Sequence, residues 1–573
     1  MTSQACPGRH GLKPSSVNRG IGPGSFIRKG AAAAALLLCA AALFALAQPN
    51  IFYARGFPIL SYFAYIPVFL LARLISRRFL WFAGFICGAL SYRFFGYWLS
   101  AFHPMGLVVM ASLFGIEFMI AFQFLKFAAN LFPRYGWIAQ WLVWLSHEFL
   151  KTLGFAGFHY GLAGYTQWRW NAVIQIADVT GIWGVNALIV FVSAWFTQVI
   201  LDAKPPSAAP CPLPVVRALR AVKLHKTSAV IWLCCFALAL VYGFAARVDN
   251  SQDSKVRVAL IQNNSDPWVG GVPAMRKDLD TLIRLTDEAL MREPETDIVV
   301  WPETAFVPRI VYHYHRRTDR GRFELVERLL KYIDGANLDT VFVIGNGHGE
   351  EGYARNGKRE ILDYNAALVF YPQKNVIPPE PAVYKKMHLV PFTEYFPYGK
   401  QFPKLYELLL NGDTHFWEPG TDPVVFEAGG LRFCVPICFE DTFGYITRQF
   451  VRNGAQVIVN LSNDAWSKSL ACQYQHLSMA VFRSVENRVP TVRSTASGQT
   501  AIVDPNGKIV SMAEPFAETF ITGEIPAPVR AQHTLYTKFG DWFGWFTVAA
   551  TAVMLAAGIA TKNSPRGKTA RNF

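Results

Sequence analysis

Residues 431–440 of this 573-residue chain read Leu431-Arg-Phe-Cys-Val-Pro-Ile-Cys-Phe-Glu440. This apolar run is typical of a buried β-strand, and it ends in a cysteine and a carboxylate. Two more runs have the same form: Asp297-Ile-Val-Val-Trp-Pro-Glu303 and Tyr384-Lys-Lys-Met-His-Leu-Val-Pro-Phe-Thr-Glu394. Ligands of open α/β sheets bind at the carboxyl ends of strands. The three runs therefore predict one site that combines Glu, Lys and Cys side chains.

The surrounding region, 248–540, has ordinary globular composition and is predicted to be an α/β domain. Short β-branched runs predict strands at Val256–Gln262, Asp297–Glu303, Thr340–Asn346, Ala366–Tyr371, Leu431–Glu440, Gln456–Ser462, Thr491–Thr495 and Ala501–Asp504. Helical patterns lie between several of them, such as Ala274–Met291 and Arg322–Ile333. The runs do not alternate strictly, which indicates strands covered on both faces.

The rest of the chain is much more apolar. Hydrophobic residues make up 52% of the whole sequence and charged residues 17%, against about a quarter charged in soluble proteins. A membrane-spanning helix needs about 20 apolar residues. Eight segments are predicted to span: roughly 31–47, 51–72, 79–100, 106–132, 136–152, 181–201, 228–246 and 541–561.

The net charge is +15. The cations that produce it lie where membrane topology requires them, and they do not form a nucleic-acid-binding surface. These cations cluster before the first apolar segment, after the last, and in alternate connecting loops, which predicts a cytoplasmic N-terminus. The predicted organisation is a disordered basic tail (1–28), a membrane domain with seven helices (29–247), an extracytoplasmic catalytic domain (248–540), an eighth helix (541–561) and a basic cytoplasmic tail (562–573). Alternatively, the first segment is a signal peptide cleaved after Ala45-Leu46-Ala47.

The cysteines and the sequence motifs indicate which kind of reaction the chain can catalyse. Only three of the nine cysteines, Cys434, Cys438 and Cys472, lie in 248–540, which is no disulfide framework. A thiolate is the reactive form of cysteine, a carboxylate can take its proton, and an ammonium can stabilise an oxyanion. Taken singly, each of these residues has a more ordinary structural interpretation. The chain has no P-loop, dinucleotide fingerprint or zinc spacing, so neither cofactor nor metal is predicted.

Seven strings, in order, carry a family resemblance: Trp301–Ala305, Tyr384–Glu394, Pro436–Glu440, Asn460–Trp466, Gln475–Ala480, Arg493–Ala496 and Thr534–Trp542. The chain resembles the nitrilase (carbon–nitrogen hydrolase) superfamily, and most closely its membrane branch, the apolipoprotein N-acyltransferases. The resemblance implies an αββα sandwich inserted between the seventh and eighth helices. It also implies a bacterial inner-membrane protein with its catalytic domain on the periplasmic side.

Site residues follow from the same resemblance. It implies Glu303 as general base, Lys386 as the lysine that stabilises the oxyanion, and Cys438 as nucleophile. Glu394 and Glu440 would support them, and Trp268, Phe439 and Trp466 would contact substrate. Four departures bear on lipid preference. Thr393 stands where Gly is usual, Phe439 where Tyr is common and Ser467 where an aromatic residue is usual, and the Gly154–Tyr160 loop differs from the usual Gly-Phe-Pro-Trp.

The implied reaction is N-acylation of the N-terminal S-diacylglyceryl-cysteine of lipoproteins, with a membrane phospholipid as donor. It would proceed in two half-reactions through a thioester on Cys438, in a monomer that binds no nucleic acid and no cofactor. Two alternatives remain open at this point. One is a membrane-anchored amidase that uses water. The other is a transporter that carries a non-catalytic nitrilase-like module.

Overall fold

The N-terminal part of the chain is helical. The computed structural model describes residues 23–102, 104–204, 213–265, 270–353, 359–410, 416–527 and 533–563. Its first eleven α-helices are α1 (Pro23–Ala47), α2 (Ile66–Leu74), α3 (Arg77–Phe95), α4 (Leu99–Phe102), α5 (Pro104–Leu131), α6 (Gly136–Leu150), α7 (Asn171–Ile174), α8 (Ala177–Thr180), α9 (Ile182–Asp202), α10 (Pro214–Leu224) and α11 (Lys226–Ala245). Short 3-10 helices lie at Pro58–Tyr62 and Ala163–Gln167.

Five of the described helices are long and apolar enough to cross a membrane: α1, α5, α9, α11 and α19 (Trp542–Asn563). The structure thus supports five of the eight predicted spans by length and composition. The segment 51–72 is broken into the 3-10 helix at Pro58–Tyr62 and the nine-residue α2, since each proline is accommodated at a helix start. The segment 79–100 forms α3, which has arginines at both ends, and 136–152 forms α6, which has 15 residues.

The predicted disordered tail falls mostly on residues outside the described ranges. Residues 1–22 are not among those described, and α1 already begins at Pro23. At the other end, α19 extends to Asn563, and the rest of the predicted cytoplasmic tail, 564–573, also lies outside the described part.

The catalytic region forms two six-stranded sheets. The strands are β1 (Ser254–Gln262), β2 (Ile298–Trp301), β3 (Val341–Tyr353), β4 (Arg359–Phe370), β5 (Ala382–Lys385), β6 (Val425–Ala428), β7 (Leu431–Cys434), β8 (Val457–Ser462), β9 (Thr491–Thr495), β10 (Ala501–Val503), β11 (Ile509–Met512) and β12 (Thr519–Ala527). One sheet has the order β12-β1-β2-β3-β4-β5, and the other has the order β11-β10-β9-β8-β7-β6. The helices of this region are α12 (Gly271–Arg292), α13 (Ile310–Arg316), α14 (Arg320–Asp334), α15 (Pro403–Leu410), α16 (Gly444–Arg452), α17 (Leu470–Asn487) and α18 (Leu535–Phe539).

Alternating side chains of the first sheet divide between two cores. Val258, Leu260 and Val300 belong to a core shared with the second sheet, whereas Ala259, Ile261 and Val299 pack against apolar side chains of α12 and α14. Both faces of the sheet are therefore covered, as the non-alternating apolar runs predict. The sandwich with helices outside confirms the predicted nitrilase-like fold of this region.

All eight predicted strand segments contain a strand, but four strands were not predicted. The strands β5, β6 and β11 have four residues each, and β12 carries Gly523 and Pro526. Glycine and proline weaken a strand signal and are tolerated at sheet edges, where β12 lies. The strand predicted over Leu431–Glu440 ends at Cys434, which leaves Cys438 on a turn beyond the strand.

Buried polar contacts dock the catalytic domain onto the membrane domain. Arg488 Nη2 lies 2.6 Å from Asp178 Oδ2, and the Trp98 indole donates to Gln475 Oε1 at 3.0 Å. Arg488 and Gln475 come from the end and the middle of the α17 region, so this helix is fixed against the loops that connect the membrane helices. The ring of Trp466, which follows β8, lies 5.6 Å from that of Trp98, so the carboxyl end of this strand also lies near the membrane domain.

Candidate active site

Cys438 lies at the start of a tight turn. After β7, three residues lead to a 3-10 helix over Cys438–Thr442. Cys438 has a φ of +51°, a left-handed conformation that costs a non-glycine residue about 1–3 kcal/mol. Its side chain is partly exposed, whereas Cys434 and Cys472 are buried. Of the three cysteines of this domain, the turn therefore presents only Cys438 to a ligand.

Glu303 follows β2 after Pro302, and its backbone is held against the neighbouring strand. A Cβ atom on Gly345 of β3 would lie 2.5 Å from the Pro302 carbonyl oxygen and 2.6 Å from Glu303 Cα. Only glycine permits so close an approach. The Glu303 carboxylate is buried, and its Oε1 accepts a hydrogen bond from Asn365 Nδ2 at 2.9 Å.

Lys386 directly follows β5, and its side chain is completely buried. Its Nζ lies 2.9 Å from Glu394 Oε2 and 3.5 Å from Glu303 Oε1. The preceding Lys385 pairs instead with Glu350, at 2.5 Å. Of the two adjacent lysines, Lys386 is the one that lies beside Glu303.

Burial and charge set the protonation states of this group. Burial raises the pKa of the Cys438 thiol, the Glu303 carboxylate raises it further, and Lys386 opposes both. Burial also raises the pKa of Glu303, while Lys386 lowers it. For Lys386, burial lowers the pKa, but Glu394 and Glu303 outweigh burial and leave it raised. The raised pKa values keep the Cys438 thiol protonated and the Lys386 ammonium charged in the resting site, and the Glu303 and Cys438 side chains lie close enough to affect each other's pKa.

Such an arrangement can carry out nucleophilic acyl transfer. The carboxylate can take the thiol proton as the sulfur attacks a carbonyl carbon. The ammonium then lies close enough to the nucleophile to stabilise negative charge on the carbonyl oxygen. Because burial and Glu303 raise the pKa of the thiol, the attack needs such a base beside the sulfur.

Glu394 and Asn365 complete the polar groups around Lys386. Glu394 Oε2 accepts from the backbone N–H of Val390 at 2.8 Å, and Oε1 accepts from Asn365 Nδ2 at 3.1 Å. The same amide nitrogen also donates to Glu303, so Asn365 bridges both carboxylates. Asn365 was not predicted, since it directly precedes the apolar run Ala366–Tyr371 and has no local signal of its role.

Glu440 connects the segment that carries Lys386 with the segment that carries Cys438. Its carboxylate is completely buried and accepts four hydrogen-bond donors at 2.7–2.9 Å: the backbone N–H groups of Met387, His388 and Ile437, and the hydroxyl of Tyr384. Because these donors flank Lys386 and Cys438, the carboxylate fixes one segment relative to the other. Burial raises the pKa of Glu440 to about 7.

A second buried group, here called the Asp441 cluster, lies behind the nucleophile turn and consists of Asp441, Asp464, His476 and Arg493. His476 Nε2 lies 2.7 Å from Asp441 Oδ1, and its Nδ1 lies 3.0 Å from Asp464 Oδ1. Arg493 pairs with the same two carboxylates, at 2.7 and 3.0 Å. The two carboxylates thus pair with the Arg493 guanidinium and the His476 imidazole, and all four side chains are buried.

The sequence did not predict a role for the Asp441 cluster. Three of its members lie inside strings that carry the family resemblance, but no role followed from those strings. Burial and Arg493 lower the pKa of His476, yet Asp441 and Asp464 outweigh them and raise it to about 9. The charged imidazole therefore ties the Cys438 turn, through Asp441, to α17.

The three residues predicted to contact substrate have different outcomes. Trp268 lies outside the described residues. Phe439 packs against the rings of His388 and Phe443, at centroid distances of 5.9 and 4.9 Å. Trp466 is partly buried, and its ring lies 5.6 Å from that of Trp98, which follows α3. Trp466 therefore lies on the side of the site that faces the membrane domain. Phe439 lies one ring away from that side, since Phe443 also contacts His159 of the loop after α6.

Comparison with known families agrees with this geometry. Residues 257–533 match the family model described as carbon-nitrogen hydrolase. Residues 40–195 match the model described as the apolipoprotein N-acyltransferase N-terminal domain. The two matched regions contain the catalytic sheets and most of the described membrane helices, in the order that the resemblance requires.

Relatives match along nearly the whole chain. Apolipoprotein N-acyltransferase 1 of Treponema denticola is 41% identical over 527 residues, which cover 91% of this chain and 94% of that protein. Apolipoprotein N-acyltransferase 1 of Treponema pallidum is 45% identical, with 91% and 95% covered. The apolipoprotein N-acyltransferase of Geobacter metallireducens is 29% identical, with 89% and 93% covered. These matches confirm the resemblance drawn from the seven strings: the chain is an acyltransferase with a carbon–nitrogen hydrolase fold, and it belongs to the apolipoprotein N-acyltransferase family.

Proposed function

We propose that the enzyme transfers a fatty acyl group from a membrane phospholipid to the α-amino group of the N-terminal S-diacylglyceryl-cysteine of lipoproteins. The observation that carries this proposal is the Cys438–Glu303–Lys386 group on a domain docked against apolar helices. A soluble enzyme with such a group would act on small amides or nitriles. A site beside a membrane can receive an acyl chain laterally and without extracting the lipid.

In the first half-reaction, Cys438 attacks the acyl ester of the phospholipid. Its proton passes to Glu303 as the S–C bond forms, and Lys386 with backbone N–H groups stabilises the tetrahedral oxyanion. The ester C–O bond then breaks, and Glu303 returns the proton to the leaving oxygen. A thioester remains on Cys438, and a lysophospholipid departs.

In the second half-reaction, the α-amino group of the diacylated cysteine attacks the thioester carbonyl. Glu303 accepts a proton from the amine, the C–S bond breaks, and the sulfur of Cys438 is protonated again. The product is an amide, which makes the lipoprotein triacylated. No step requires a metal ion or a nucleotide.

The proposed setting is the bacterial inner membrane, with the catalytic domain on the periplasmic side. The cations that flank the apolar segments support this orientation. We further propose that the enzyme acts as a monomer. In support, Glu303, Lys386, Cys438, Glu394 and Glu440 come together within one chain.

A reconstituted assay tests the function. The purified protein receives a phospholipid with labelled acyl chains and a synthetic diacylated lipopeptide, and the lipopeptide is analysed by mass spectrometry. We expect one added acyl group on the peptide α-amine with the intact protein and none with Cys438→Ala. Release of free fatty acid without peptide acylation would favour a water-using hydrolase. Absence of both products, together with an unreactive Cys438, would favour a non-catalytic module.

A further inference from the structure

A cavity of about 430 Å³, here called the junction cavity, lies where the catalytic domain meets the membrane domain. Residues 387–389, just after Lys386, and 443–445, just after the Cys438 turn, form its catalytic side. Residues 152–155 and His159, from the loop after α6, form the opposite side. The catalytic triad does not line this cavity, so it is a separate compartment next to the reaction centre.

One aromatic layer separates the junction cavity from the nucleophile. Phe439 directly follows Cys438 and packs against the rings of His388 and Phe443. Those two rings line the cavity, and their centroids are 3.9 Å apart. A molecule with its reactive ester at Cys438 and another group in the cavity therefore needs only a short connection between the two. The glycerol of a phospholipid is such a connection between acyl ester and phosphate.

Two histidines of the junction cavity have ring nitrogens without partners. His159 is 7% exposed, its ring lies edge-on to Phe443 at 4.6 Å, and its Nδ1 has no hydrogen-bond partner among the described residues. His388 Nε2 also lacks a partner within the described part of the chain. A buried polar atom left without a hydrogen bond costs about 1–3 kcal/mol. Two such atoms on one cavity therefore indicate a polar ligand.

One tautomer of His388 makes its unpartnered nitrogen a hydrogen-bond donor. The Tyr445 hydroxyl lies 2.9 Å from His388 Nδ1. Burial raises the pKa of Tyr445 to about 12, so its hydroxyl remains protonated and can donate to Nδ1. Burial and then Lys386 lower the pKa of His388 to about 4, so the ring is neutral at neutral pH. In the tautomer in which the Tyr445 hydroxyl donates to Nδ1, the ring proton is on Nε2, which can donate to an acceptor in the cavity.

The charged groups around the two imidazoles are largely paired with one another. Lys386 acts on His388, and both Arg483 and Lys151 lie close enough to lower the pKa of His159, after the larger effect of burial. The acids nearby already have partners. Glu394 pairs with Lys386, and Asp541, which lines the cavity, accepts from the Trp183 indole at 2.7 Å. Arg483 likewise pairs with Glu486, at 2.9 Å. The unpartnered imidazole nitrogens are therefore the groups that the cavity offers to an acceptor such as a phosphodiester oxygen.

We propose that the junction cavity binds the phosphate group of the acyl-donor lipid, with His159 and His388 as its hydrogen-bond donors. Apolar lining residues, among them Leu153 and Phe155, suit the glycerol and the start of the acyl chains. Binding the phosphate here places the acyl ester on the other side of the Phe439 layer, at Cys438. This inference rests on the proposed phospholipid donor and extends it, since it assigns the residues that recognise that donor.

The test compares two acyl donors that share one acyl chain. Acylation of the full-length enzyme is measured with dipalmitoyl phosphatidylglycerol, which has the phosphodiester, and with p-nitrophenyl palmitate, which has none. The variants are His159→Phe and His388→Leu, with His388→Gln as the variant that keeps an N–H donor. His313→Phe is the matched control, because His313 is also buried with an unpartnered Nδ1 but does not line the cavity.

We expect His159→Phe and His388→Leu to lower kcat/KM for the phospholipid at least tenfold. The kcat/KM of the same variants for p-nitrophenyl palmitate should stay within twofold of the wild-type value. His388→Gln should restore most of the phospholipid activity, and His313→Phe should match wild type. Equal losses with both donors, or no loss with either, would overturn the proposal. Full inhibition by inorganic phosphate alone would identify a free-anion site and also overturn it. If the wild-type enzyme accepts acyl groups from the ester and never from a phospholipid, the proposed function itself fails.

Discussion

Replacing Glu440 by Gln changes one atom of the carboxylate that holds the Lys386 segment to the Cys438 turn. The carboxylate accepts from three backbone N–H groups and the Tyr384 hydroxyl. In Gln, the oxygen can face only one of the two segments. The amide nitrogen then opposes an N–H donor of the other segment, so one charge-assisted hydrogen bond is lost and one buried donor is left unpaired.

Losing a hydrogen bond to a charged group costs about 1.5–3 kcal/mol, and an unpaired buried donor costs about 1–3 kcal/mol. We take a combined loss of about 3 kcal/mol in the positioning of Lys386 against Cys438. If this loss appears in the transition state, it lowers the rate about a hundredfold. The assay is the single-turnover rate of acyl-enzyme formation, with the melting temperature measured in parallel.

Glu427→Gln is the matched control, since Glu427 is an exposed carboxylate on the edge strand β6 and its variant should react at the wild-type rate. The pKa of Glu440 is about 7, and Gln resembles its protonated form. The ratio of the wild-type rate to the Glu440→Gln rate should therefore shrink as the pH falls through about 7. A Glu440→Gln enzyme that is destabilised but forms the acyl-enzyme within twofold of wild type would refute the positioning role.

Three further perturbations have defined outcomes. Gly345→Ala should lower acyl-enzyme formation at least tenfold, because its Cβ would meet the backbone of Pro302 and Glu303; Gly335→Ala, whose Cβ has no neighbour nearer than 3.3 Å, should be close to wild type in the same assay. Cys434→Ala should retain activity and lose about 1 kcal/mol of stability, since Cys434 is a buried core residue; loss of acylation in a folded Cys434→Ala protein would argue against Cys438 as nucleophile. The folded pKa of His476, about 9, exceeds its ordinary 6.5, so its stabilisation is complete below pH 6.5 and is lost as the pH rises through 9. Thermal unfolding should show up to about 3 kcal/mol of this loss, and a His476→Gln variant with the same pH dependence would contradict it.

The grouping of Glu303, Lys386 and Cys438 could be predicted because each lies in a recognisable apolar run that ends in a reactive side chain. Glu303, Lys386 and Cys438 lie where strand ends converge, and the parallel strands of an α/β sandwich bring such ends together. Asn365 could not be found in this way, since its partners come from two other segments of the chain. Asp441 and His476 were hidden for the same reason: their importance depends on burial and pairing, which arise only in the folded protein.

For the membrane helices, the sequence predicts apolar composition but not whether a helix is continuous. Hydropathy measures composition and does not report whether a helix is continuous. The segment 51–72 is apolar enough, but Pro58 begins a 3-10 helix, Pro67 is the second residue of α2, and a turn over residues 63–65 separates these two short helices. Long apolar runs without an internal break, such as that of α9, were placed within a few residues of their observed bounds.

Intact-protein mass spectrometry after incubation with a phospholipid alone tests the central claim most directly. We predict one added acyl group, which maps to the peptide that contains Cys438, is released by hydroxylamine, and disappears as the triacylated product forms on addition of a diacylated lipopeptide. Cys438→Ala should acquire no acyl group. An enzyme that acylates the lipopeptide while no acyl adduct ever forms on Cys438, or a Cys438→Ala variant that transfers at the wild-type rate, would contradict the thioester mechanism.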